Sequence, residues 1–492
     1  MKYKYIGIPK SISFHECYEN GFVFAPSKYS RFLPNNGWLF VPMSQICSES
    51  KSKIRIVKEI EYNYSEIGDI DISSGLVGQT KYFGLNLPAE NPKQCKCGDI
   101  LISTVRTYRG GIGMITEDLP NHCCSPAILI IRNVDENIIT KEYLLAILKS
   151  LFFTEQILGF QTRGMYPRLD SDAMDKVLIP IPKNKNAIKY ITALQKSCLQ
   201  KEKLIHERHA DILQLIEKEL IENQKPNTFI YQLPRLNDVK EVGRIDTSMF
   251  GRNFKSKIFV ILNYLNGFKS IEDWGFKLSR GQNLQVSNIG KSVYSQTWYP
   301  SFYTLVLPMF LSKYGTIEDV RFLGNRNSLK TLKKGDLIFG AEGFEKGRSI
   351  VVIEEEQNTI TNIHGITIQH GSNDIILSIY IKCFLDYLRH QGLIDLFAVG
   401  GNGGSLAQRY WSFIPFPNFP KPKQKEIATL YHNPQKYETD CFTLENFLEK
   451  DDEFNSKAGI YELDKTAKML KDKLNKAIDD IVNDREVKIS WE

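Results

Sequence analysis

The chain repeats itself once, at a constant offset, across two long stretches, and this limits what it can fold into more than any other feature. Residues 96–115, KCGDILISTVRTYRGGIGMI, read like residues 333–352, KKGDLIFGAEGFEKGRSIVV, with Gly98-Asp99 and Gly335-Asp336 lying 237 positions apart. The same 237 separates Tyr143, which opens YLLAILKSLFF, from Tyr380, which opens YIKCFLDYLRH. Each segment then runs through a glycine-containing stretch into Ile-Pro-hydrophobic-Pro, Ile179 to Pro182 in one copy and Ile414 to Pro417 in the other. Such a period is far above the roughly 20 to 50 residues of solenoid repeats, so each copy is expected to be a whole domain with its own core. The chain then reads as a pseudo-dimer, and two copies suit a long linear partner. Its 492 residues agree, since single cores stop growing near about 250 to 300 residues.

With 42% hydrophobic and 24% charged residues the chain has the balance of a soluble globular protein. It shows neither a basic stretch leading into an apolar one at its start nor an apolar run near the ~20 residues of a membrane helix, which predicts a cytoplasmic protein. Nine cysteines, an odd number scattered over a long chain, read as reduced thiols. Cys95, Cys97, His122, Cys123 and Cys124 invite a zinc reading. Their spacing, C-x-C and an adjacent pair, is not the CxxC pattern of a structural zinc site, and small buried hydrophobes explain them better.

The net charge of +6 is small, but its distribution is informative. From Lys421 onward 13 Lys and Arg face 16 Asp and Glu, so residues 1–420 carry a net +9. The positive field therefore falls on the repeated stretches, where a polyanion would bind.

The first copy, residues 1–183, combines short strand-like runs, such as Trp38 to Val41 and Ile100 to Thr104, with a helical signal over 141–158. In that signal Leu144, Leu145, Leu148, Leu151, Phe152 and Leu158 share a face, so the expected class is α+β. After Pro182 the composition changes. Residues 184–224 contain no glycine or proline and interleave charged residues with Ile188, Ile191, Leu194, Cys198, Ile205, Ile212, Leu215, Ile216 and Leu220. This predicts a long amphipathic helix, a spacer over 184–226, whose forty or so residues reach ~60 Å. The second copy then occupies 227–419, and 420–492 form a second helical region. There Ile460, Leu463, Ala467, Leu470, Leu474, Ala477 and Ile481 alternate spacings of 3 and 4, the a/d seam of a coiled coil. Antiparallel pairing of the two helical regions would relate the domains by a pseudo-two-fold axis.

The catalytic signatures expected of an enzyme acting on DNA are missing. The only Gly-Lys-Ser, Gly290-Lys291-Ser292, has Gln285 where a P-loop needs its first glycine. There is no Pro-Pro dipeptide for an amino-methyltransferase loop. Asp336, Glu342 and Lys346 could be imagined as a metal-dependent nuclease site. Only Asp336 has an equivalent, Asp99, in the other copy, so the shared Gly-Asp reads as a turn into a core strand. No nucleophile elbow or HExxH pair is present. What remain are loops where cations and tyrosine cluster beside glycine. In the first copy these hold Arg106, Tyr108 and Arg109, then Arg163, Tyr166 and Arg168; in the second, Lys346 and Arg348, then Asn402, Ser405, Gln408 and Arg409. Arginine pairs bidentately with guanine, Asn and Gln with adenine, and glycine lets backbone approach a phosphate. Equivalent loop positions with different residues are what a reader of two short sequences needs.

These features resemble the specificity subunit of type I restriction-modification systems. The resemblance rests on GDILIS and GDLIFG, the two IPxP exits, Lys423-Gln424-Lys425-Glu426-Ile427-Ala428, which looks like the family's QKEIA helix opening, and Arg244-Ile245-Asp246 followed by Met249-Phe250. It implies two target recognition domains, each binding half of a split DNA sequence, held apart by antiparallel helices that act as a ruler. It also implies no catalytic residues, metal or cofactor in this chain. S-adenosylmethionine, ATP and magnesium would sit on partners, two methyltransferase subunits and a restriction subunit. Two departures stand out. The first copy lacks an Arg-x-Asp start, and Asn433-Pro434 interrupts the second spacer helix, so that 432–459 read as an insertion. A type IIB-like or phage-exclusion specificity chain, or a coiled-coil scaffold that ignores DNA, are the competing readings.

Overall fold

The computed structural model describes residues 6–7, 9–19, 21–22, 24, 29, 31–32, 39–160, 168–169, 174–246, 248–354, 358–372, 374–400 and 403–491. The chain divides into two compact units. One comprises residues 1–203, 436–456 and 465–492, the other residues 204–435 and 457–464. Each is α+β.

In the first unit an antiparallel sheet has the spatial order Cys47–Glu49, Ile128–Val134, Ile100–Ser103, Ile112–Met114. The Ile100–Ser103 strand is central and buried on both faces. Because side chains alternate across a strand, Ile100 and Ile102 join a core with Tyr143, Leu144, Ile147 and Leu148, while Leu101 joins another with Cys124, Ile128 and Ile130. A second sheet runs Thr80–Phe83, Glu61–Ser65, His122–Cys124, Lys93–Gln94, its middle pair parallel. Leu178–Ile181 pairs with Leu39–Pro42; Trp38 lies outside the described residues.

The second unit repeats this plan with Phe276–Arg280, Gly365–His370, Leu337–Gly340 and Ser349–Val351 in one sheet. Its other sheet holds Ser292–Ser295, Arg321–Asn325, Tyr303–Leu305 and Thr359–Ile360, and its short pair is Phe268–Lys269 with Phe416–Pro417. The units differ at the edges of the mixed sheet. Lys93–Gln94 is added beside His122–Cys124 in one, and Ser292–Ser295 at the opposite edge in the other.

The 237-residue offset is a hydrogen-bond offset. Gly98 N donates to Ile115 O and Gly335 N to Val352 O, both at 2.8 Å. The Tyr143 hydroxyl donates to Pro180 O at 2.8 Å, and the Tyr380 hydroxyl to Pro417 O at 2.5 Å. Both Gly-Asp pairs form the expected turn into a core strand. The glycines sit at φ +81° and +88°, where a side chain is strained, and each aspartate accepts from the backbone N–H three residues before it, at 2.8 Å for Asp99 and 2.9 Å for Asp336. The aspartates then take different partners. Asp99, 1% exposed, pairs with Arg132 at 2.7 Å, whereas Asp336 accepts from Gln369 Nε2 at 2.8 Å.

The helical signal over 141–158 resolves into two helices, Lys141–Leu148 and Leu151–Phe160. Ser150 explains the break. Its hydroxyl donates to Ile147 O at 2.6 Å and accepts from Phe153 N at 3.4 Å, closing one helix and capping the next. The central helix is continuous over Lys185–Glu222. The heptad residues from Ile460 to Ile481 are all buried along the Ile460–Val482 helix. Within the first unit the two helices run in opposite directions. Cys198 Sγ donates to Ala467 O at 3.8 Å, whereas Tyr190, two turns earlier, meets Ser490 and Trp491 beyond the other helix's end. The Lys421–Tyr431 helix stops at His432, which is extended, ahead of Asn433-Pro434. The segment that follows contains the Phe447–Lys457 helix, and it is fastened by buried polar groups. Lys201, 0% exposed, reaches Asp451 at 2.7 Å and Asn455 at 2.6 Å, and Ser197 donates to Asp451 at 2.6 Å.

Candidate nucleic-acid interface

In each unit the loop that leaves the central strand is stitched to a second, later segment. Thr104 N donates to Ala127 O and accepts, through its carbonyl, from Leu169 N at 2.9 Å; Ala341 does the same with His364 O and Leu406 N, also at 2.9 Å. The sequence-predicted loops are therefore brought together within each unit: 104–111 with Arg168, and 341–348 with 399–400 and 403–409. Arg163, Tyr166 and Asn402 lie outside the described residues.

In the first unit Thr107 is fully buried and its hydroxyl donates to Ser103 O at 2.7 Å, which pins the middle of the loop. Arg106 precedes a short 3-10 turn, Thr107–Arg109, in the left-handed region at φ +51°, and Gly110 follows it at φ +83°. A non-glycine residue there stores roughly 1 kcal/mol or more, and such strain gathers at binding sites. Arg109 is exposed, Arg106 and Tyr108 are half-buried, and exposed Arg168 bridges to Val105 beside them.

In the second unit the same backbone turn is made with glycine, at Gly343 (φ +85°) and Gly347 (φ +88°). Its cations are committed within the unit. Lys346 pairs with Asp395 at 2.7 Å and its side chain is only 9% exposed. Arg348 pairs with Glu345 and donates to Leu311 O at 2.8 Å. Gly343 N donates to Gly403 O at 3.3 Å, and Ser405 bridges Val399, so the two segments lie side by side. Gln408 and Arg409 are exposed at the start of the Gln408–Phe413 turn, where Arg409 donates to Val242 O at 2.9 Å and lies over the Tyr410 ring. Arg244 and Asp246 of the Arg-x-Asp motif pair with each other, and Arg244 also donates to Phe397 O and Ala398 O, anchoring the start of the second segment. The Arg244 guanidinium holds the Asp246 carboxyl down at about 2, with the Ser248 N–H helping against partial desolvation.

Two features lie outside the loops that cations beside glycine mark in the sequence. Phe344 stands 79% exposed at the tip of the second loop, at the position equivalent to buried Thr107. Arg280 donates to Glu342 Oε1 at 2.9 Å and to Ile363 O at 3.1 Å, and His364 Nδ1 meets Glu342 Oε2 at 2.7 Å. Burial pushes the Glu342 carboxyl up, but the bonds from His364 and Arg280 outweigh it and leave the group below its usual range. Arg280, Gln282, Asn283 and Lys330 line a neighbouring cavity of about 210 Å³. Arg280 is itself a cation beside a glycine, Gly281. Phe344 offered only an aromatic between two glycines.

Asp336, Glu342 and Lys346 have separate partners, as above. Cys95, Cys123 and Cys124 are buried, and burial holds the Cys123 thiol up at about 12. Among the described residues no group of three or more His, Cys, Asp and Glu could hold a metal ion, and no helix is long and apolar enough to cross a membrane.

No protein-family model matches the chain, and no curated protein matches it in sequence. Among solved structures it is similar to the S subunit of a type I restriction-modification system from M. genitalium, at 13% identity, covering 94% of this chain and 99% of that one, with a TM-score of 0.39. It is similar to the HsdS subunit from Thermoanaerobacter tengcongensis at 15% identity, with 92% and 98% covered and a TM-score of 0.32. A chain from work on complex assembly and conformational transition of the type I R-M system gives 16% identity, 93% and 100% covered, and a TM-score of 0.33.

Proposed function

We propose that this chain is a non-catalytic, sequence-specific reader of double-stranded DNA, the specificity subunit of a type I restriction-modification complex. Each unit would read one part of a bipartite target, and the chain would direct partner methyltransferase and restriction subunits to it. S-adenosylmethionine, ATP and magnesium would be carried by those partners. The observation that supports this reading best is the pairing of a shared hydrogen-bond scaffold with divergent loops at the same two places. A scaffold duplicated for packing alone has no reason to keep a strained arginine, Arg106, in one loop and an exposed phenylalanine, Phe344, at the tip of the other.

On this reading Arg109 and Arg168 reach base edges or phosphates for the first unit, each bidentate base contact being worth about 1–3 kcal/mol of discrimination. Tyr108 and Arg106 shape the loop. In the second unit Gln408 and Arg409 make the polar contacts with Ser405 in the same segment, and Lys346 and Arg348 hold the loop in place. Phosphate contacts make affinity fall steeply with salt. The test is methylome sequencing of cells carrying the chain with its partner subunits, followed by gel shifts of the assembled complex on the site found. A two-part modified sequence that changes when the loops change supports the reading. Modification that ignores the identity of this chain overturns it.

A further inference from the structure

One buried position is treated oppositely in the two units. In the second, Asp386 is buried and holds the ammonium of Lys382, itself 0% exposed, at 2.7 Å. The Tyr431 ring lies 4.2 Å from that ammonium, and Gly315, at φ +81°, packs so tightly against it that an added Cβ would overlap it. The cation there has a carboxylate built in. In the first unit the residue 237 positions before Asp386 is Lys149. The glycine turn is kept: Gly75 also has φ +81°, and an added Cβ would lie 3.2 Å from Lys149 Nζ. The Lys382 position is Leu145 here, so the buried ion pair has given way to a lone lysine where the carboxylate stood.

Lys149 Nζ donates to Ile72 O at 2.9 Å, and Lys471 Nζ donates to Glu202 at 2.6 Å and to Ser73 O at 3.4 Å. Both lysines line a cavity of about 340 Å³ that also takes in Arg109, Ser74, Thr154 and Asn475. Three cations thus border one partly enclosed space. One of these cations, Lys471, already has a carboxylate of its own, and the other carboxylate nearby is taken up by its own turn. Glu202 is paired with Lys471, and Asp71 accepts from Ser73 N, Ser73 Oγ and Ser74 N at 2.8, 2.7 and 3.2 Å. Burial first, then Lys471, pull the Lys149 ammonium down to about 8, against Asp71 and Glu202, which favour the charged form. Among the described residues no carboxylate pairs with Lys149, whose ammonium meets only the Ile72 carbonyl, and a desolvated cation beside another is unfavourable unless an anion joins it.

We propose that this cavity binds a phosphate group, clamped between Lys149 and Lys471 with Arg109 at its rim, in place of the carboxylate that the second unit carries in its own chain. The shared chemistry is a phosphate mono- or diester. Its source is either the backbone of bound DNA or a free nucleotide. Since Arg109 also belongs to the loop assigned above to DNA, occupancy would set that loop's position, a consequence that rests on the proposed function; the phosphate site itself does not.

The full-length chain is titrated with inorganic phosphate, and separately with adenosine monophosphate, at constant ionic strength in chloride, with binding read by calorimetry and by thermal shift. Lys149→Gln and Lys471→Gln are each expected to weaken saturable phosphate binding roughly tenfold or more, the effect of losing one charged hydrogen-bond donor. Lys149→Glu, which copies the acid of the second unit and can pair with Lys471, should abolish binding while the chain stays folded. Binding should also fade as the pH rises through about 8, where Lys149 loses its proton. A target duplex that displaces phosphate from the wild-type chain assigns the site to DNA backbone; a nucleotide that binds without such competition assigns it to a free ligand. Binding of equal strength in all variants, or no response beyond that to chloride, overturns the proposal. Because the phosphate arm contains no DNA, its failure is separable from failure of the DNA reading.

Discussion

The loop that leaves the central strand is held in two different ways in the two units. In the first, a buried threonine, Thr107, plugs the middle of the turn and an arginine, Arg106, takes a left-handed backbone conformation. In the second, two glycines make the turn, Lys346 and Arg348 brace it, and the side chain at the Thr107 position, Phe344, points into solvent. The central strands below pair in the same register in both units. The lesson is that backbone hydrogen bonds and strand burial fix the platform, while what stands on it varies as long as one left-handed turn is kept at each end.

The largest effect that probes this comparison lies under the loops. Arg132→Ala strips the buried Asp99 of its partner and should cost the first unit about 3–5 kcal/mol, because an uncompensated buried charge remains. Gln369→Ala removes only one neutral donor from Asp336, and about 1–3 kcal/mol should go. Denaturant unfolding of each variant checks the order; equal costs would show that the two aspartates are not used differently. Next, Phe344→Ala should weaken binding to the second unit's part of the target by roughly tenfold, on the scale of about 1.5–3 kcal/mol for burying one phenylalanine side chain against the duplex, and leave the first part unchanged. Fluorescence anisotropy with duplexes mutated in one part at a time measures this, and Phe344→Trp should restore it. The smallest effect concerns the Arg-x-Asp anchor found in the second copy. Asp246 is held near 2, below its ordinary 3.8, so it adds stability above pH 4 that is lost as pH falls toward 2. Half-exposed, it contributes little. Asp246→Asn should flatten the acid limb of the second unit's unfolding and leave the first unit's unaltered, as followed by hydrogen exchange at low pH.

What the sequence makes legible here is local or repeated. The turn at Gly98 and Gly335, the unbroken helix after Pro182 and the buried heptad from Ile460 follow from spacing alone. The loops could be located because the repeat marks where they leave the scaffold. Other features depend on partners far along the chain. Lys346 reads as a free surface cation until Asp395, in another segment, is placed against it. The break at Ser150 turns on one hydroxyl that competes with the helix backbone, inside an apolar run that fits a single helix. The extra edge strand Ser292–Ser295 and the Lys149–Lys471 cavity have no signature in spacing at all, since each is defined by which segments pack together.

The central claim, that each unit grips its own part of a target through its own loop pair, is tested most directly by Arg109→Ala with Arg168→Ala in the assembled complex. Affinity is measured on the full target and on duplexes scrambled in either part. The account predicts that the double variant loses discrimination at one part, by roughly tenfold or more, and reads the other as before. A uniform loss across all duplexes, or unchanged discrimination at both parts, would contradict it.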